Sequence, residues 1–239
     1  MQDANTPQTQ ESINKNISFF QNNLESYNKN IQSLDTYKAI RQAVDQSIPD
    51  IDHLLDIGNG GVFDYDTSLV KKITALDLFL DQLPDTFVHP KNVIFKTGSA
   101  LEIPEKDESF DGVLMVMLIH HLTGDTVKSS MKNMQLAISE AHRVLKPNGK
   151  FILMESCIPP WFLHFEKLVY RLAGKFAARF LEHPMTLQYP KELIGDEIQK
   201  KFNHVDITEI PLGRWVLQFG FKVPSFITPV CPTLFIATK

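Results

Sequence analysis

Apolar residues Ile13, Ile17, Phe20, Leu24, Tyr27 and Ile31 recur every three or four positions, the period of an amphipathic helix. Asp35 restarts the pattern with an N-cap type of residue, and Tyr37, Ile40 and Val44 carry it to Pro49. This pair of helices either covers an edge of the fold or forms a lid, and periodicity alone does not decide between them. Beyond Pro49 the pattern changes to short continuous apolar runs. His53–Ile57, Ile73–Asp77, Asn92–Lys96, Gly112–Met117 and Lys150–Glu155 read as strands, the fourth apolar throughout, as a strand buried on both faces should be. Helical stretches separate them, a short one at Ser68–Lys72 and a long one over Thr126–Leu145 that stops at Lys146-Pro-Asn-Gly149. Strands alternating with helices predict βαβ units on a parallel sheet.

The last third is less regular. Trp161 to about Leu181 reads as a helix with an aromatic face, and Lys191–Phe202 as another. Val205–Ile210 and Thr233–Thr238 read as two final strands, joined by an aromatic, Pro-rich connection from Pro211 to Pro232. Residues 1–10, rich in Gln, Asn, Thr and Pro, are expected to be a disordered tail. The remainder, 11–239, is expected to be one domain, with a helical cap over 11–49 and an inserted roof over 158–190.

Composition narrows this picture a little. The chain has 239 residues, 43% hydrophobic and 22% charged, which suits one α/β domain with embellishments. A net charge of −4 gives no global basic field, so nucleic acid is not the expected partner. The two cysteines, Cys157 and Cys231, are far apart, which argues against a disulfide framework and a Cys-type zinc site; no metal is expected. The N-terminus lacks the apolar core of a signal peptide, and no apolar run approaches the roughly 18–20 residues that span a bilayer. A cytoplasmic location is the expectation.

The candidate chemistry lies at His53–Asp64. Here an apolar run ends in Asp56 and passes into a turn carrying Gly58, Gly60 and Gly61, while the next strand ends in Asp77. Glycines after a first strand let backbone approach a ligand, and an acid ending the second can grip a ribose. Further pieces follow in order: Gly98-Ser-Ala-Leu-Glu-Ile-Pro104, Ser109-Phe-Asp-Gly-Val-Leu114, Ile119-His-His-Leu122 and His142-Arg-Val-Leu-Lys-Pro-Asn-Gly149. With Leu54–Gly60 and Ala75–Leu78, these resemble the class I S-adenosylmethionine-dependent methyltransferases of the small-molecule type, over roughly residues 50–157.

The resemblance implies a Rossmann-like fold, a seven-stranded mostly parallel sheet with a C-terminal antiparallel hairpin, and S-adenosyl-L-methionine as cofactor. It implies that Gly58, Asn59 and Gly60 pass close to the methionine and ribose portions while Asp56 orders the turn. It gives Asp77 the ribose hydroxyls, Leu78 the adenine face, Ser99 and Ala100 the adenine edge, and Met115 with its neighbours the sulfonium end. Val62 stands where the family usually has a third glycine, and Phe63-Asp-Tyr-Asp66 replaces the usual start of the first helix. Ser99 stands where an acid is usual.

Methyl transfer often needs a base for the acceptor's proton, and His120 and His121, just past the fourth strand, are the candidates. Glu155 is a second candidate, or else a loop anchor; Cys157 lacks the setting of a nucleophile. The aromatic surface Phe165, Leu168, Leu172, Phe176 and Phe180, with Trp215, Phe219, Phe221 and Phe226, either fills a secondary core or roofs a small, fairly hydrophobic acceptor, with oxygen the expected methylated atom and nitrogen or carbon the alternatives. Lys167, Arg171, Lys175 and Arg179, spaced by four, form a basic stripe that is either a solvated face or a weak peripheral contact. The rival readings are a cyclase or isomerase on the same fold, and a non-catalytic cofactor-binding or scaffolding protein. The sequence does not indicate an oligomeric state.

Overall fold

The structure, a computed structural model, describes residues 34–80, 90–176, 186–218 and 221–239. The expected tail, the first cap helix, Arg179, Phe180 and Phe219 lie outside the described residues, as do the side chains of Arg171, Leu172, Lys175, Phe176 and Phe221. The elements in chain order are α1 (Asp35–Ser47), β1 (His53–Ile57), β2 (Lys72–Asp77), β3 (Val93–Thr97), β4 (Phe110–Val116), α2 (Val127–Val144) and β5 (Leu145–Cys157). Then come α3 (Pro160–Phe176), α4 (Lys191–Gln199), β6 (His204–Glu209), β7 (Trp215–Gln218), β8 (Phe221–Pro224) and β9 (Cys231–Thr238).

Seven strands form one sheet in the order β3-β2-β1-β4-β5-β9-β6, and β7 pairs only with β8. β1 is parallel to both β2 and β4, and β4 to β5, whereas β9 runs antiparallel to β5 and β6. From β1 the chain winds outward to β3, then returns to β4 on the other side of β1. The strand order therefore reverses between β1 and β4, and in an open α/β sheet the crevice beyond the strand ends at that point is where ligands bind. The loops after β1 and β4 both open there.

Apolar clusters cover the two faces. On one, Ala137, Ile138 and Ala141 of α2 and Ile194 and Ile198 of α4 pack on Leu55, Val113, Phe151 and Phe235. On the other, Ile40 and Val44 of α1 pack with Ile48, Tyr65 and Val70 on Leu54, Leu114 and Ile152. The described cap helix thus covers a sheet face, not merely an edge. It also touches the loop after β1, where the Asp66 N–H donates to Asp45 Oδ1 at 2.7 Å.

Two expectations need correction. The stretch Ser68–Lys72 is not a helix; only a 3₁₀ turn, Thr67–Leu69, stands between β1 and β2. Val70 is already extended and fully packed in the core, and Lys72 pairs with His53. A β-branched residue that must be buried on the strand approach overrides a short local helical pattern. The connection after Pro211 holds the β7–β8 hairpin, whose alternation the prolines and aromatics concealed.

Candidate active site

Gly58, Gly60 and Gly61 all have positive φ, at 78°, 60° and 85°, so each glycine of the turn is required by backbone conformation. A Cβ at Gly58 would also lie 2.5 Å from Leu118 Cδ1, so the loop after β4 packs directly on the glycine turn. Val62, at the position expected for a third glycine, closes the turn by donating its N–H to the Asn59 carbonyl at 2.9 Å. The positive-φ position falls one residue earlier, at Gly61, which accounts for the displaced glycine.

Asp56 is buried beneath this turn, and its Oδ2 accepts from Asn59 Nδ2 at 2.7 Å and from the Tyr65 hydroxyl at 2.9 Å. Burial pushes its pKa up to about 7, opposed by those two hydrogen bonds. Asn59 Oδ1 in turn accepts the Gly61 N–H at 2.8 Å. Tyr65, missed as a site residue, is thus the support of Asp56. Its only signal in the sequence was the unusual Phe63–Asp66 run.

Asp77, at the end of β2, accepts the Gly60 N–H on Oδ2 at 2.9 Å and the Leu78 N–H on Oδ1 at 2.6 Å. Burial raises its pKa to about 6, against those backbone donors. Each oxygen keeps a second lone pair, so the carboxylate is fixed and still able to accept from two hydroxyls, as a ribose grip requires. With the glycine cradle, this donor and acceptor set fits the nucleoside half of the cofactor.

The other expected positions fall unevenly. Ser99 Oγ accepts the Leu101 N–H at 3.1 Å, so its hydroxyl is partly engaged in its own turn, and Ala100 is buried beside it. Met115 is fully buried in the core, so its side chain does not line the site; Met117, at φ 53°, and Leu118 take the strand end. Of the apolar surface expected of α3, the described Phe165 and Leu168 are 54% and 56% exposed; Trp161 at the start of the helix is 68% and Phe226 86% exposed.

His120 and His121 form a 3₁₀ turn after β4, their ring centroids 4.2 Å apart. His120 Nδ1 lies 2.5 Å from Glu155 Oε1. Glu155, at the end of β5, is fully buried; its Oε2 accepts the Ile119 N–H at 2.8 Å and its Oε1 the Ser156 N–H at 2.6 Å. Cys157 is buried and its thiol is pushed well above the ordinary range by that burial, which makes it no nucleophile. Among the described residues no group of three or more His, Cys, Asp or Glu could hold a metal, and no helix is long and apolar enough to cross a membrane.

Comparison with known proteins agrees with this geometry. A family model described as a methyltransferase domain matches residues 55–153, from β1 through most of β5. The demethylmenaquinone methyltransferase of Staphylococcus haemolyticus is 26% identical over 235 residues, covering 86% of this chain and 93% of that protein. The ubiquinone/menaquinone biosynthesis C-methyltransferase of Rubrivivax gelatinosus is 27% identical over 114 residues, 46% of this chain and 42% of that protein. A solved S-adenosylmethionine-dependent methyltransferase of Thermotoga maritima, described as a possible histamine N-methyltransferase, superposes with a TM-score of 0.60 at 19% identity, covering 93% of this chain and 99% of that one. The switch-point glycine turn and Asp77 lie within this matched segment, so the chain carries a methyltransferase domain of the S-adenosylmethionine-dependent kind, and its cofactor is S-adenosylmethionine.

Proposed function

We propose that this enzyme methylates a small, fairly hydrophobic acceptor bearing an aromatic hydroxyl, of the quinol type, with oxygen the methylated atom. The observation that carries the reading is the meeting of the glycine turn and the His120 loop at one crevice, through Leu118 on Gly58. The cofactor, when bound, supplies an electrophilic methyl group on a sulfonium. The chain must then hold the nucleoside, place the acceptor in line and take its proton.

Asp77 holds the ribose hydroxyls, Gly58, Asn59 and Gly60 line the methionine and ribose portions, and Leu78 with Ser99 and Ala100 borders the adenine. Asp56 acts through the turn, because Asn59 and Tyr65 occupy its Oδ2. His120 is the group that takes the acceptor's proton, and His121 packs beside it. The quinol class is supported by the whole-length similarity to a demethylmenaquinone methyltransferase. A second reading, methylation at a ring carbon next to the hydroxyl, is favoured by the C-methyltransferase relative; loss of the same hydroxyl proton would activate either atom.

Calorimetry with S-adenosylhomocysteine tests the cofactor assignment. Wild type binds, and Asp77→Ala weakens binding roughly 10- to 100-fold, the loss of one or two charge-assisted hydrogen bonds at about 1.5–3 kcal/mol each. Incubation with S-adenosylmethionine and 1,4-naphthohydroquinone should add one methyl to the product by mass spectrometry, with fragmentation separating ether from ring methyl. Absence of any methylated product would rule out the quinol acceptor.

A further inference from the structure

We propose that Glu155 and His120 form a proton-accepting dyad, in which Glu155 is the positioning residue that makes Nε2 of His120 the base for the acceptor's hydroxyl. This rests on the methyl-transfer reading above and specifies it: the acceptor arrives protonated, and the enzyme removes the proton during transfer.

The hydrogen bonds fix the tautomer. Glu155 already accepts two backbone N–H groups, from Ile119 and Ser156, so its carboxylate is held in the acceptor role by donors that cannot reverse. The short contact to His120 Nδ1 therefore carries its proton on nitrogen, and Nε2 keeps the lone pair. Among the described residues no protein group bonds to Nε2, so its lone pair is left for the acceptor, and the His120 side chain keeps 14% exposure against 1% for Glu155.

The same carboxylate fastens the loop. By taking the Ile119 N–H it pins the 3₁₀ turn to the end of β5, and the His120 carbonyl accepts the Leu187 N–H at 3.0 Å from the segment leading into α4. Two residues earlier, Leu118 seats on Gly58. The base is thus held between a buried anion and the cofactor turn by contacts on three sides. A residue that merely capped the turn would need only the Ile119 and Ser156 bonds. The third bond, to a side chain facing the crevice, is the feature left over.

Charge around the ring comes from β5, α3 and the turn itself. Glu155 is in contact, the His121 ring lies at 4.2 Å tilted by 42°, and Glu166 of α3 acts on His120 through space while its own bond is to the Gln188 backbone N–H. In the reaction, the bond from the acceptor oxygen to the methyl carbon forms as the carbon–sulfur bond breaks with its pair going to sulfur. The hydroxyl proton passes to Nε2, and the imidazolium is balanced by the Glu155 carboxylate.

The test compares wild type, Glu155→Gln and His120→Asn, with thermal melts to confirm folding. Long-range nitrogen–proton NMR of labelled histidine should show His120 of the wild type as the Nδ1–H tautomer, the form that leaves Nε2 its lone pair. With 1,4-naphthohydroquinone, kcat should drop about 100-fold in His120→Asn and roughly tenfold or more in Glu155→Gln. In Glu155→Gln the loss should fall on kcat and not on KM, and S-adenosylhomocysteine affinity should stay within about twofold of wild type, as expected when bound-state contacts are kept and only proton transfer is lost. An Nε2–H tautomer in the wild type overturns the dyad whether or not the probe turns over, and so does a Glu155→Gln variant that raises KM with kcat unchanged. An unchanged kcat in His120→Asn overturns it equally. Failure of wild type to bind S-adenosylhomocysteine would instead sink the cofactor assignment, which is a separate result.

Discussion

At the scale of single residues, Tyr65 does what the missing first helix would otherwise leave undone. It is buried against α1 and sends its hydroxyl to Asp56, so the carboxylate under the glycine turn is tied to a residue nine positions away. Tyr65→Phe leaves the ring in place and removes one donor from a buried acceptor, which costs about 1–2 kcal/mol in urea denaturation. It should also weaken S-adenosylhomocysteine binding, since the turn loses its lower support; equal affinity in the variant would mean that Asn59 alone suffices. Val62 and Phe63–Asp66 were legible as departures from the family pattern, but not as a replacement. No sequence period records that a hydroxyl will meet a carboxylate across a turn, because that contact depends on where the burial of Val70 pulls the chain. Glu155 illustrates the same limit. Its place at the end of a strand was readable, whereas its bonds to Ile119 and His120 come from β5 lying beside β4.

Among the described elements, the strands β1 to β5 and the well-punctuated α2 emerged as expected, and the short helix at Ser68–Lys72 did not. α2 starts at a capping box, where Thr126 accepts the Ser129 N–H at 3.0 Å and the Ser129 hydroxyl accepts the Thr126 N–H at 2.9 Å, and it stops before Pro147. That helix covers one sheet face, and Ser130 at its start accepts the Gly124 N–H at 2.9 Å, fastening the segment that follows the His120 turn. Thr126→Ala should therefore cost about 1 kcal/mol of global stability, measured by denaturation, with S-adenosylhomocysteine affinity unchanged because the glycine turn is untouched. The Ser68–Lys72 pattern had Asp66 as a cap but little length and a β-branched residue destined for the core, so tertiary burial outweighed it. Of the apolar surface expected on α3, the two described positions, Phe165 and Leu168, are exposed. A stripe specifies that side chains share a side of a helix, and only packing decides whether that side looks inward.

For the whole molecule, the switch point gathers charge in a way that links cofactor binding to pH. Burial raises Asp56 to about 7 and Asp77 to about 6, both above the ordinary carboxylate range of the unfolded chain. A buried acid with a raised pKa binds more protons folded than unfolded, so it lowers stability as pH rises from the unfolded value, near 4, through the folded one. The unliganded protein should accordingly lose melting temperature between about pH 4 and pH 7 through these two groups, opposite to the usual salt-bridged carboxylate. Asp77→Asn removes one of the two titrations and should flatten that slope. Cofactor acts in the reverse direction: hydroxyl donors at Asp77 favour its charged form, so the stabilisation given by saturating S-adenosylhomocysteine should grow as pH rises from 5.5 to 7.5. Melting curves of wild type and Asp77→Asn, with and without the ligand, measure both effects at once. A ligand-induced shift that is flat across this range in the wild type, or equally steep in Asp77→Asn, would show that the ribose grip does not lie at this carboxylate.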